Sequence, residues 1–140
     1  MDGTILTPLN QIHHPKGDIY HAMKKSDDGF DGFGEAYFSN VHKNDIKGWK
    51  KHRDMTLNLL VPIGEIEFVA YNEDLKEFFS VKISQNNYQR LTIKPNLWLA
   101  FKGIDENSML LNLASIEHDP NESENMELTS IQYEWYKSFN

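Results

Sequence analysis

Residues 47–71 read KGWKKHRDMTLNLLVPIGEIEFVAY, and this stretch decides the fold. Two apolar runs, 55–61 and 65–71, carry the Leu, Val, Ile, Phe and Tyr of half-buried strands, and Pro62-Ile63-Gly64 divides them. The pair is entered through a Gly48-Trp49 step crowded by Lys47, Lys50, Lys51, His52 and Arg53. Two strands meeting a basic, aromatic mouth predict a small β-barrel that receives an anionic small molecule. Thr56 and Asn58 alternate with Met55, Leu57 and Leu59, so one face of the first strand is expected to be half polar, as a ligand-lined barrel wall is.

The flanks extend the same pattern. On the N-terminal side, 33–41 (FGEAYFSNV) alternates and carries aromatics, which predicts a strand after the loop SDDGFDG at 26–32. Residues 17–25 are ambiguous between strand and helix, and residues 1–16 form an irregular arm or an edge strand. On the C-terminal side, 77–84, 90–93, 98–101 and 109–114 read as short strands set apart by turns at 72–74, 85–87, 94–96 and 102–107. Many short strands with turn signals at roughly 8–12-residue spacing predict an all-β sandwich, barrel or jelly roll. Residues 118–125 read as an exposed acidic turn region. The last segment, with Ile131, Tyr133, Trp135, Tyr136 and Phe139, is too aromatic to be a free tail; it is expected to pack on its own barrel or on a neighbouring subunit.

Length and charge bound the function. A chain of 140 residues fits one domain, here an arm (1–16), a barrel (about 17–116) and a C-terminal segment (117–140). The net charge of −7 argues against nucleic acid and anionic lipid as partners, although six of the eleven residues 43–53 are Lys, Arg or His and leave room for one small anion. The absence of cysteine fits a cytoplasmic address and excludes thiolate metal sites. His13 and His14 are adjacent, so on an extended chain they point to opposite faces and make no chelating pair. No metal or other cofactor is expected.

At Gly32-Phe33-Gly34-Glu35, Lys47-Gly48-Trp49-Lys50-Lys51-His52, Gly64-Glu65-Ile66 and Pro95-Asn96-Leu97-Trp98 the chain resembles the dTDP-4-dehydrorhamnose 3,5-epimerase family over about residues 32–127. The resemblance implies a cupin-type jelly roll, a homodimer, and an enzyme acting on a nucleotide keto-sugar in bacterial polysaccharide synthesis. It also locates the departures. The family's Arg-Gly-Leu-His-Phe-Gln string becomes Lys47-Gly48-Trp49-Lys50-Lys51-His52, which puts Lys50 where the catalytic base belongs. A lysine ammonium has no lone pair with which to abstract a proton, and His52, two residues on and on the same face of an extended chain, is the nearest substitute. The family's catalytic tyrosine falls at Asn112, whose amide is no general acid.

The resulting expectation is an isomerase or epimerase of a nucleoside-diphosphate 4-keto-6-deoxy sugar. His52 would be the base, Lys50 the cation for the enolate or a phosphate, and Lys47 a diphosphate contact. Trp49 and Trp98 would be stacking walls, with Glu35, Asn58 and Asn112 completing the substrate site. The competing expectation is a cupin that binds a sugar nucleotide or carbohydrate without turning it over. A purely structural barrel comes third.

Overall fold

The structure is a computed structural model and describes residues 1–136. Its strands are β1 (Thr4–Pro8), β2 (Gln11–Ile12), β3 (Ile19–Tyr20), β4 (Glu35–His42), β5 (Ile46–His52), β6 (Leu57–Ile63), β7 (Glu65–Asn72), β8 (Glu77–Ser84), β9 (Gln89–Ile93), β10 (Trp98–Gly103), β11 (Asn107–Ala114) and β12 (Ser123–Asn125). Two five-stranded antiparallel sheets face each other, the first in the order β1-β9-β6-β11-β4 and the second β12-β5-β10-β7-β8. This is the all-β, cupin-type jelly roll expected from the sequence. The stretch 17–25 forms no helix; its Ile19–Tyr20 pairs with Gln11–Ile12 as a short ribbon.

The core lies between the sheets. Leu57, Leu59 and Val61 of β6 meet Ile66, Phe68 and Ala70 of β7, with Ile83, Leu91, Ile93 and Leu110 around them. Each such burial contributes about 1.5–3 kcal/mol. The alternation along β6 therefore runs opposite to the expected sense: Leu57, Leu59 and Val61 face inward, while Asn58 faces out. Thr56 and Asn58 are buried all the same, because the 26–32 loop folds over them. Thr56 Oγ1 donates to Asp31 (2.8 Å), and Asn58 Nδ2 donates to the Gly29 carbonyl (2.9 Å) while its Oδ1 accepts from Thr92 (2.6 Å). They pin a loop rather than line the barrel.

Pro62 was expected to divide two strands but lies inside β6. Pairing with β9 ends at Leu59, and the ladder to β11 shifts register between Met109 and Leu111, so no ladder bond needs the N–H that proline lacks. The reversal is left to Gly64, which has φ 80°.

The C-terminal segment packs on its own barrel. Ile131, Tyr133 and Trp135 cover the outer face of the second sheet, where Trp49, Trp98, Val69 and Ala100 are buried. Tyr136 is held at its backbone: its N–H donates to Glu67 (3.2 Å) and its carbonyl accepts from Lys102. The expected contribution of Phe139 lies outside the described residues.

A candidate active site between the two sheets

A cleft of about 270 Å³ opens between the sheets and is lined by Lys47, Gly48, Lys50 and His52 of β5, Tyr37 of β4, Leu57, Leu97, Leu99, Phe101 and Asn125. Strand alternation explains why Lys50 and His52 face it together, but not why Lys47 joins them. The reason is a bulge. Across β10, Leu99 pairs with Lys50 and Ala100 with Gly48, so Trp49 is an extra residue and the side-chain alternation flips there. Lys47 is thereby turned to the cleft, while Trp49 points to the opposite face. Gly48 sits at the bulge with φ 146°, and a Cβ on it would lie 2.4 Å from Ala100 Cβ, so only glycine fits.

His52 is 8% exposed and its Nδ1 contacts Oε1 of Glu122, which is 4% exposed. The residues that place Glu122 are local. Pro120–Glu122 form a 3-10 turn whose Asp119 side chain accepts from Asn121 N, and β12 then pairs Ser123 with His52. Glu122 Oε2 accepts from the backbone N–H groups of Asp54 (3.1 Å) and Met55 (3.2 Å). Burial alone would raise the Glu122 carboxyl. The hydrogen bonds from His52, Asp54 and Met55, together with the charge of His52, outweigh it and hold the group below the ordinary glutamate value. An ionised carboxylate only accepts, so Nδ1 is the ring nitrogen that donates to Glu122, and in the neutral form of the ring Nε2 is the atom that carries the lone pair. A histidine held in this tautomer at a cleft can take a proton from a bound molecule.

The cations differ in their commitments. Lys47 Nζ donates to Ser39 Oγ (3.2 Å) and to the Asn40 carbonyl, tying β5 to β4. Lys51 faces away, with its Nζ 5.0 Å from the Trp98 ring and near Glu73 and Glu124. The Lys50 ammonium makes no hydrogen bond or ion pair with any described residue and lines the cleft, so it is available to an anion. Among the described residues no three His, Asp or Glu side chains gather closely enough to hold a metal ion.

The profile of the family described as FdtA, WxcM-like, C-terminal, matches residues 2–131. This chain belongs to that WxcM-like family. A dTDP sugar isomerase from Desulfovibrio desulfuricans G20 is 31% identical to the WxcM-like chain and superposes with a TM-score of 0.89, over 96% of this chain and 91% of that one. QdtA, a sugar 3,4-ketoisomerase from Thermoanaerobacterium thermosaccharolyticum solved with TDP, shares 21% identity at a TM-score of 0.78, covering 89% and 88%. A dTDP-4-dehydrorhamnose 3,5-epimerase from Sulfolobus tokodaii shares 17% at 0.84, covering 95% and 82%. The last two speak to the fold, which the resemblance to the epimerase cupins had implied. No curated protein sequence matches the chain.

The WxcM-like barrel brings Lys47, Lys50 and His52 together and sends other expected site residues elsewhere. Trp49 and Trp98 were expected as stacking walls; they are 1% and 3% exposed on the far face of the second sheet, beneath the C-terminal segment, and have no surface toward the cleft. Asn58 points away from the cleft, into the 26–32 loop. Glu35 opens β4 opposite Ala114 and does not line the cleft. Asn112 is fully buried behind the cleft wall, where its amide reaches Tyr37 Oη at 3.1 Å. Sequence reasoning missed Glu122, Tyr37 and Asn125. The acidic composition of 118–125 read as exposed and hid the one carboxylate that is buried there, while Tyr37 carried no signal beyond an aromatic on a predicted strand.

Proposed function

We propose that this WxcM-like chain isomerises or epimerises a nucleoside-diphosphate 4-keto-6-deoxy sugar. The observation that carries the proposal is the buried Glu122–His52 pair presented to a cleft that also holds the Lys50 ammonium, which has no partner among the described residues. Either reaction begins by removing a proton from the carbon beside the ketone, which needs a neutral base and a positive group for the enolate oxygen. His52 Nε2 is the base and Lys50 the cation. Lys47, with two of its three N–H bonds already directed at Ser39 and Asn40, offers the third to a phosphate. Leu57, Leu97, Leu99 and Phe101 give the sugar an apolar floor that strengthens these charges. The 31% identity to a dTDP sugar isomerase supports the same reading.

The decisive experiment incubates the protein with the keto-sugar nucleotide in deuterated water and follows the ring protons by NMR. Loss of the proton beside the ketone, with a new sugar product, is the expected result. No exchange at stoichiometric protein sinks the enzyme, and micromolar calorimetric binding without exchange then leaves a sugar-nucleotide-binding cupin.

The finer setting is also proposed: a cytoplasmic homodimer serving cell-surface polysaccharide synthesis. The cysteine-free composition accords with a reducing compartment, and the resemblance supports the pathway. For the dimer, the outer face of the first sheet sets the exposed Phe38 beside Leu111, and Ile63 beside Met109. Of the described C-terminal residues, Ile131 is buried on the chain's own barrel and Tyr133 and Trp135 are partly buried there, while Tyr136 stays 46% exposed.

A further inference from the structure

Lys47 faces the cleft only because Trp49 is the extra residue of the β5 bulge, so whatever holds Trp49 outward also aims Lys47. Without the bulge, Lys47 would stand opposite Lys102 instead of Phe101, and alternation back from Lys50 would turn it out of the cleft. The C-terminal segment supplies the hold. The Trp49 N–H donates to the Met126 carbonyl (3.2 Å), and the Met126 N–H donates to the Trp49 carbonyl (3.0 Å). The indole N–H donates to the Leu128 carbonyl (3.3 Å), and the ring lies 6.1 Å from that of Trp135, in one cluster with Ile131. The segment is pinned again beyond these contacts. Glu67 and Lys102 stand opposite each other in the β7–β10 ladder, 5% and 6% exposed, and bind the N–H and the carbonyl of Tyr136, while Lys82 Nζ lies 3.2 Å from the Tyr136 ring centroid.

We propose that Trp49 is a positioning residue for the diphosphate of the substrate and acts through Lys47, an inference that rests on the phosphate contact given to Lys47 in the reading above. The indole is 1% exposed on the far face of the sheet and touches nothing in the cleft. Its hold on the C-terminal segment fixes the bulge, and the bulge fixes the facing of Lys47. The bonds to Ser39 and Asn40 then direct the ammonium so that its third N–H meets a phosphate. Lys50 and His52 lie beyond the bulge, where pairing with Asn125 and Ser123 of β12 keeps their alternation whatever happens at Trp49. The C-terminal segment thus governs how tightly the nucleotide is held, while the groups that move the proton keep their geometry. A loosened Trp49 raises KM and leaves kcat in place, whereas a general loss of folded protein lowers the active fraction and leaves KM where it was.

The test is a double-mutant cycle of Trp49→Leu and Lys47→Met, read by calorimetric titration with TDP and by KM and kcat on the keto-sugar nucleotide. The expected result for Trp49→Leu is a TDP affinity about tenfold weaker, KM raised in proportion and kcat within about threefold of wild type. In the Lys47→Met background the same change should shift the affinity by less than about twofold. A folded W49L that binds TDP as tightly as wild type, or that loses as much affinity in the Lys47→Met background, overturns the role of Trp49. Trp49→Phe keeps a ring in the cluster and removes only the bond to Leu128. It takes the place of W49L if that variant does not fold, with an affinity loss of about threefold expected and the same results overturning the role. TDP binding with neither product nor ring-proton exchange overturns the isomerase reading alone, since the cycle still decides on Trp49. A wild type that does not bind TDP overturns both.

Discussion

Glu122 is the residue through which the candidate site is organised. Its carboxylate takes two backbone N–H groups on one oxygen and the His52 ring on the other, so it both folds the 120–125 segment onto β5 and sets the tautomer of the proposed base. Glu122→Gln keeps the shape but no longer acts as an ionised acceptor. The expected outcome is a kcat lower by on the order of 10²-fold with KM little changed. Stability should respond to pH with a defined sign. The folded-state carboxyl is depressed, so its contribution is complete above the ordinary glutamate value of 4.5 and is lost as pH falls below it through the folded value. Urea midpoints of wild type and E122Q should therefore differ at neutral pH and converge on acidification; a gap independent of pH would contradict this. At this scale the sequence was partly legible. His52 could be found because its position two residues from Lys50 follows from strand alternation. Glu122 could not: it lies 70 positions away in an acidic run, and only the pairing of β12 with β5 reveals that this one carboxylate is buried. Trp49 and Trp98 were misassigned because residue type speaks of stacking, while the bulge at Gly48 and the parity of β10 decide which face they take.

Among the elements, β5 carries two jobs on its two faces. Inward it presents Lys47, Lys50 and His52; outward it sets Trp49 under the C-terminal segment. Gly48→Ala would drive a Cβ to 2.4 Å from Ala100 in a backbone region that L residues rarely enter. It should cost about 2–4 kcal/mol in urea unfolding. The segment itself is anchored by Ile131, 8% exposed among Trp49, Val69 and Trp98. Ile131→Ala should cost about 2–3 kcal/mol, toward the low end for a truncated isoleucine because the site lies at the edge of a cluster. A loss under about 0.5 kcal/mol would show that the segment adds little to the barrel. Most strands were legible to within a few residues because Gly, Pro, Asn and Asp punctuate them. The facing of β6 was not, since alternation fixes two faces but not which one looks inward, and that was decided by a loop folding over the polar face. Pro62 misled in the same way: whether proline breaks a strand depends on where its neighbours' ladders end.

On the scale of the whole molecule, a net charge of −7 surrounds a cleft whose Lys50 has no partner among the described residues, which favours a single small anion over a polyanion. The proposed dimer depends on the outer face of the first sheet, where Phe38 is 63% exposed. Phe38→Glu should leave the melting temperature of the subunit nearly unchanged and shift sedimentation from dimer to monomer at micromolar concentration. A wild type that already sediments as a monomer would remove the dimer. The class of fold was open to reading from strand spacing alone, and the aromatic content of the last segment predicted that it packs on its own barrel or a neighbour; which sheet face it closes was not legible, because the segment comes from the far end of the chain.

That closure has a spectroscopic consequence. The chain has three tryptophans, and Trp49, Trp98 and Trp135 all belong to the cluster beneath or within the C-terminal segment, with the indoles of Trp49 and Trp135 only 6.1 Å apart. The emission of this protein is therefore a gauge of whether that segment is docked. A ligand entering the cleft lies on the other side of the sheet, so a titration followed by indole fluorescence would stay silent while the site filled.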